Sequence, residues 1–176
     1  TQGQLGGTAG ANGVPINLSA DAQQVYAGTR YACALLIDGS VSCWGNHPAS
    51  TTTLEPTTVS LGAFSKLAHG GGRHMCGIRE DGVYCFGEAT GGKLGAGFAE
   101  GNFPDPQRAV DSENWGTIVD IAIRGSHTEF EGKSCALTES GDVYCWGIND
   151  QEQFGASSDS ELTFPTRVSW IDEVPG

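Results

Sequence analysis

Basic residues are scarce in this chain of 176: 9 Lys and Arg stand against 21 Asp and Glu, a formal charge of −12. Binding to a phosphate backbone needs clustered cations, so nucleic acid is excluded as an expected partner. No apolar run approaches the ~18 residues of a bilayer-spanning helix, so membrane insertion is not expected. The opening Thr1-Gln2-Gly3-Gln4-Leu5-Gly6 has no basic stretch leading into an apolar core, and a secretory leader, if there was one, was removed upstream. Gly-x-Ser-x-Gly, His-Glu-x-x-His and a phosphate-cradling loop ending in Lys-Ser or Lys-Thr are all missing, so no cofactor and no small-molecule substrate is evident.

What is abundant is glycine, at 27 residues. The glycines are scattered among apolar, β-branched and aromatic residues, which reads as many short strands joined by tight turns. Repetition is plain on inspection. Ala32-Cys33-Ala34-Leu35-Leu36-Ile37-Asp38-Gly39-Ser40-Val41-Ser42-Cys43-Trp44-Gly45 aligns with Met75-Cys76-Gly77-Ile78-Arg79-Glu80-Asp81-Gly82-Val83-Tyr84-Cys85-Phe86-Gly87. Both align with Ser134-Cys135-Ala136-Leu137-Thr138-Glu139-Ser140-Gly141-Asp142-Val143-Tyr144-Cys145-Trp146-Gly147. Each segment reads as a β-hairpin.

Upstream of each hairpin a proline leads into an apolar strand and a glycine turn, as in Pro106 to Val110 followed by Ile121-Ala122-Ile123-Arg124-Gly125. Downstream comes a loop seen as Gly3-Gln4-Leu5-Gly6, Gly92-Lys93-Leu94-Gly95 and Glu152-Gln153-Phe154-Gly155. After Trp44-Gly45 this loop is missing, replaced by Asn46-His47-Pro48-Ala49-Ser50-Thr51-Thr52-Thr53.

These residues resemble the repeat of the regulator of chromosome condensation family, Gly-x-x-His-x-Cys-Ala-Leu, a turn, Val-Tyr-x-Trp-Gly and Gly-Gln-Leu-Gly. The resemblance covers nearly the whole chain and implies an all-β fold, a propeller of four-stranded blades, usually seven. The chain departs from the pattern in three places. The family histidine is present only as His74, with Tyr31 and Lys133 at the matching positions; the first repeat lacks its loop; and the third carries an insertion at 126–132. Prolines at 15, 56, 106 and 165 place repeats at 15–55, 56–105 and 106–164, with 1–14 as the tail of a preceding repeat and 165–176 as the start of a following one. The expectation is about three four-stranded blades plus partial blades at both ends. Three blades do not close a ring, so the chain is read as part of a longer propeller or as a subunit whose copies complete one another.

All six cysteines fall in the hairpins as pairs. With a three-residue turn and glycine at its left-handed third position, Ile37-Asp38-Gly39 or Glu139-Ser140-Gly141, counting outward sets Cys33 opposite Cys43 and Cys135 opposite Cys145. The shorter second hairpin needs a tighter turn through Glu80-Asp81 to pair Cys76 with Cys85. Opposed cross-strand β-carbons lie near disulfide reach, so three local disulfides are expected. Zinc and free buried thiols are the other readings; zinc ligands usually sit closer in sequence than these pairs do. Disulfides imply an oxidising compartment, so an extracellular location is expected.

Of the other candidates, His127 with Glu129 and Glu131 could line one strand face as a metal or hydrolytic site, with a solvated insertion as the plainer reading. Asp150, Glu152, Asp159 and Glu161 form an acidic loop that is a weak calcium candidate. Gly70-Gly71-Gly72, between His69 and His74, reads as a turn between blade strands. Trp44, Phe86 and Trp146 share one repeat position and read as core, and Asn17-Leu18-Ser19 fits a glycosylation acceptor. Loops on a rigid scaffold usually carry binding, so Phe98, Asn102, Phe103, His127, Glu129, Phe130 and Glu131 are the expected contact residues.

The leading expectation is a non-catalytic extracellular module for recognition of a protein partner or of further copies of the same propeller. A blade-sharing polymer subunit and a hydrolase or lyase with a site at the propeller mouth are the alternatives. Related propellers bind proteins, including a nuclear small GTPase and a secreted hydrolase, which the resemblance alone does not transfer to this chain.

Overall fold

A computed structural model describes residues 15–28, 30–49, 53–59, 62–125, 132–155 and 159–168. Twelve strands make three four-stranded sheets. The first holds β1 (Ala22–Ala27), β2 (Tyr31–Leu36), β3 (Val41–Gly45) and β4 (Thr53–Val59). The second holds β5 (Lys66–His69), β6 (His74–Arg79), β7 (Gly82–Glu88) and β8 (Asn102–Arg108). The third holds β9 (Ile118–Gly125), β10 (Gly132–Thr138), β11 (Val143–Ile148) and β12 (Glu161–Arg167). Each strand pairs antiparallel with its neighbour in sequence, so every sheet is a simple meander and a propeller blade.

Turn chemistry fixes the central hairpins. The Leu36 N–H donates to Ser40 O and the Gly39 N–H to Leu36 O, with Gly39 at φ 80°; Thr138, Asp142 and Gly141 (φ 89°) repeat this in the third sheet. The second hairpin turns through Glu80-Asp81, pairing Arg79 with Gly82. Cys33 thus faces Cys43, Cys76 faces Cys85 and Cys135 faces Cys145, with Cα atoms 4.1, 4.0 and 4.1 Å apart and a disulfide across each pair.

The glycine after each Trp or Phe has an equally specific cause. Register shifts between Cys43 and Gly45, Cys85 and Gly87, and Cys145 and Gly147 mark a bulge in the third strand of every sheet. There the glycines take φ of 88°, 103° and 102°, and a β-carbon would sit 2.4, 2.3 and 2.3 Å from the carbonyl oxygens of Arg30, Arg73 and Gly132. Only glycine fits at such a backbone contact.

The sequence period and the sheet are out of phase. Pro56, Pro106 and Pro165 lie inside β4, β8 and β12, the closing strands of their sheets. An edge strand tolerates proline because the missing N–H faces no ladder partner, so these prolines end blades rather than begin them. Residues 165–167 accordingly complete the third sheet instead of opening a further blade. The expected partial blade at 1–14 and the rest of the one at 165–176, from 169 onward, lie outside the described residues.

Alternation distributes the core. Met75 and Phe86 point toward the first sheet, joining Tyr31, Leu35, Val41 and Leu67. Cys76, Ile78, Val83 and Cys85 point toward the third, joining Leu94, Ile121, Ala136 and Trp146. Burying a side chain of this size contributes roughly 1.5–3 kcal/mol, so the two seams carry most of the cohesion between blades.

Candidate functional site

Because the strands alternate in direction, the loops joining the first to the second and the third to the fourth strand of each sheet gather at one end of the molecule. The tight hairpin turns gather at the other. The long segments that follow β7 and β11 therefore share the loop end with 46–49. Residues 126–131 lie outside the described residues, so His127, Glu129, Phe130 and Glu131 receive no structural account.

At this end the seam between the second and third sheets is closed by Gly92-Lys93-Leu94-Gly95. Leu94 is fully buried, and the Lys93 carbonyl accepts from the Trp146 indole N–H at 3.0 Å and the Ser134 hydroxyl at 3.1 Å. His74 Nε2 lies 3.3 Å from Ser134 Oγ, which ties β6 to β10. Burial pushes the His74 imidazole down to about 3, helped by the neighbouring Lys93 charge, so it is neutral near pH 7. Lys93 is itself buried, its ammonium 3.4 Å from Glu88. His74 thus holds two blades together. The Gly70-Gly71-Gly72 turn does the same at the start of the blade: a β-carbon at Gly70 would lie 2.6 Å from Arg124 Cα, and the Gly125 N–H donates to Gly70 O.

The seam between the first and second sheets is filled differently. Asn46-His47-Pro48-Ala49 stands where the closing loop would begin, and a cavity of about 450 Å³ lies beside it, lined by Tyr31, Asn46, His47, Arg73, Asn102 and Pro104 among others. His47 is 3% exposed and neither ring nitrogen has a hydrogen-bond partner among the described residues. Burial lowers the pKa of His47 and of His69, which packs edge-on against Tyr31, and raises that of the Tyr31 phenol.

Two of the expected contact residues, Phe98 and Phe103, stack at 4.5 Å between ring centroids, and Asn102 is exposed beside them. Phe164 of β12 lies over Gly97, whose N–H donates to Thr163 O, and it is 55% exposed. An aromatic patch therefore spans the second and third blades. Phe164 escaped the sequence reading because only β12 closing the third sheet brings it near Phe98; an aromatic beside a repeat-start proline was the available signal.

In the acidic loop, Asp150 accepts from Gln153, the Asp159 carbonyl accepts from Asn149, and among the described residues no three His, Cys, Asp or Glu converge as metal ligands. The loop is organised by Asn149, whose amide bonds both Asp159 O and the Phe154 N–H. Asn17 is exposed, and Ser19 Oγ lies 3.2 Å from Thr58 Oγ1. Trp44, Phe86 and Trp146 are buried as expected of core.

Residues 118–153 match the Regulator of chromosome condensation (RCC1) repeat. The chain is 33% identical over 143 residues to the human E3 ubiquitin-protein ligase HERC2, covering 80% of this chain and 3% of that protein. It is 34% identical over 158 residues to mouse HERC2, covering 82% and 3%. Human WBSCR16 superposes with a TM-score of 0.72 at 17% identity, over 96% of this chain and 45% of that one. Yeast RCC1 (Prp20), solved with Kap60 bound, gives 0.70 at 18% identity, over 97% and 43%. Another structure of Prp20p from Saccharomyces cerevisiae, described with its binding properties to Gsp1p and histones, gives 0.64 at 18% identity, over 85% and 39%. The chain therefore spans a small part of HERC2 and under half of these solved propellers.

One expectation is overturned here. These relatives are intracellular proteins, which points to the nucleus or cytoplasm and not to the extracellular location expected from the cysteines. Cysteines opposed across a hairpin meet because the strands bring them together, and that geometry carries no compartment with it. With three repeated hairpins, three blades and these matches, the chain belongs to the regulator of chromosome condensation repeat family.

Proposed function

We propose that this stretch of propeller is a non-catalytic protein-recognition module whose contact surface is the loop end of the second and third blades. The observation that carries the reading is the aromatic patch: exposed Phe98 stacked on half-buried Phe103, with exposed Phe164 over the adjacent Gly97, on a frame locked by buried hydrogen bonds. Aromatic side chains held rigid at a surface are favoured contact residues in protein interfaces, because they bury much area at little entropic cost. The family supports it, since yeast Prp20 is a propeller seen with a protein bound. The histidines fit this reading better than a hydrolytic one: His74 is a buried tie between blades. The ligase activity of HERC2 is not assigned to this stretch.

The test is site-specific photo-crosslinking in cells that make the protein. A photoreactive residue at position 98 should trap a defined protein, while one at Ser140, in a hairpin turn at the opposite end, should not. Equal capture from both positions removes the assignment of the contact surface.

A further inference from the structure

The cavity in the seam between the first and second sheets has a chemistry of its own. At the same distance after the bulge glycine, the three blades carry His47, Ala89 and Asn149, all buried. Ala89 has no polar side chain and Asn149 uses both amide atoms to organise its loop. Both His47 ring nitrogens are buried and have no hydrogen-bond partner among the described residues. The His47 side chain lines a cavity of about 450 Å³, within the range of small-molecule and side-chain pockets, with both ring nitrogens covered from it.

The other polar groups on that cavity are donors suited to an anion. Arg73 is exposed at its edge and makes no ion pair among the described residues, whereas Lys66, Lys93, Arg108 and Arg167 each pair with a carboxylate. Asn46 and Asn102 add amide groups, and Pro48 and Pro104 supply apolar wall. The Arg73 guanidinium and the two amides form a donor set that binds a carboxylate with charge-assisted hydrogen bonds.

We propose that this seam cavity receives a carboxylate, the acidic side chain of a bound protein. The source follows from β8. Asn102 and Pro104 lie on the cavity side of that strand, and alternation puts Phe103 on the other side against Phe98. A chain crossing β8 reaches the aromatic patch and the cavity together. This inference rests on the protein-recognition reading and names what that partner presents.

The experiment is an NMR titration of the full chain with imidazole nitrogens labelled, following His47. The probes are N-acetyl-glutamate methylamide, its glutamine counterpart and acetate. The glutamate probe should shift the His47 resonances saturably, and the glutamine probe should bind at least about tenfold more weakly. Arg73→Met, a surface change that keeps the apolar stem, should weaken the glutamate probe by a similar factor and leave the other resonances in place. His47 resonances unmoved at ~10 mM glutamate probe, or equal binding of the glutamine probe, overturns the carboxylate site. Acetate binding as tightly as the glutamate probe overturns the protein source and assigns the cavity to free small carboxylates. If the probe binds as expected but position 98 traps no protein, the contact-surface reading fails while the carboxylate site stands.

Discussion

In the seam between the second and third sheets, one carbonyl oxygen, that of Lys93, accepts from both the Trp146 indole and the Ser134 hydroxyl. In the seam between the first and second sheets the same two positions, one blade earlier, hold Phe86 and Met75, and neither side chain can donate. The difference is coordinated: where the preceding blade lacks the loop that offers the carbonyl, the following blade lacks the donors that would seek it. A buried donor left without an acceptor costs about 1–3 kcal/mol, so losing one side of the contact favours losing the other. The repeat is thus conserved within this chain as pairs across a seam and not residue by residue. His47 is the exception, a buried polar group retained in the seam that lost its loop.

The sharpest way to break this comparison is to remove the plug. Leu94→Ala takes a fully buried side chain from the loop that closes the second seam, and should cost about 2–5 kcal/mol in urea unfolding. A loss below about 1 kcal/mol would mean that the loop is not what holds these blades together.

Acid should strain the same seam. The folded pKa of His74 is about 3 against an ordinary 6.5, so below pH 6.5 the unfolded chain binds a proton that the folded one refuses. The contribution is fully present above pH 6.5 and is lost as pH falls toward 3, with a slope approaching about 1.4 kcal/mol per pH unit. Unfolding midpoints measured from pH 7 to 4 should fall accordingly, and His74→Gln should flatten that part of the profile. An unchanged slope in the variant would assign the acid sensitivity to other groups.

How far such features could be read in advance depended on whether they were local. The hairpins and their cysteine pairs were legible because Gly39 and Gly141 set turns whose register can be counted outward. Blade boundaries were not, because Pro56, Pro106 and Pro165 signal an edge strand as well as a beginning, and only the ladder between the third and fourth strands tells which sheet that edge closes. Of the proposed contact surface, Phe98 and Phe103 were legible because they stand close in sequence, one just before β8 and one in it, while Phe164 arrives from the neighbouring blade. His47 stood in the sequence only as part of the segment that replaces the missing loop, and its burial is a matter of how the first two sheets meet. The compartment was misread because paired cysteines report strand geometry.

The indole bond offers a finer cut. Trp146→Phe copies into the second seam what Phe86 already is in the first, removing the donor to Lys93 O while Ser134 still supplies one bond. The expected cost is about 1–2 kcal/mol, the size of one buried hydrogen bond and a small loss of volume. Combining it with Ser134→Ala should cost more than the sum of the single changes, because only the double variant strips the carbonyl of both donors. Strict additivity would show that the two bonds do not share one acceptor in any energetic sense.

The smallest effect, and the one with an unusual sign, belongs to His47. In most buried positions a His→Leu change removes hydrogen bonds and destabilises; here the ring makes none among the described residues. His47→Leu keeps a side chain of similar bulk and deletes a desolvated imidazole, so stability at pH 7 should stay within about 1 kcal/mol of the parent, or rise. The gain should grow as pH is lowered, because burial holds the His47 pKa below its ordinary value and protonation of the unfolded chain then penalises the parent alone. A loss of more than about 1 kcal/mol would mean that the imidazole has a partner within the fold.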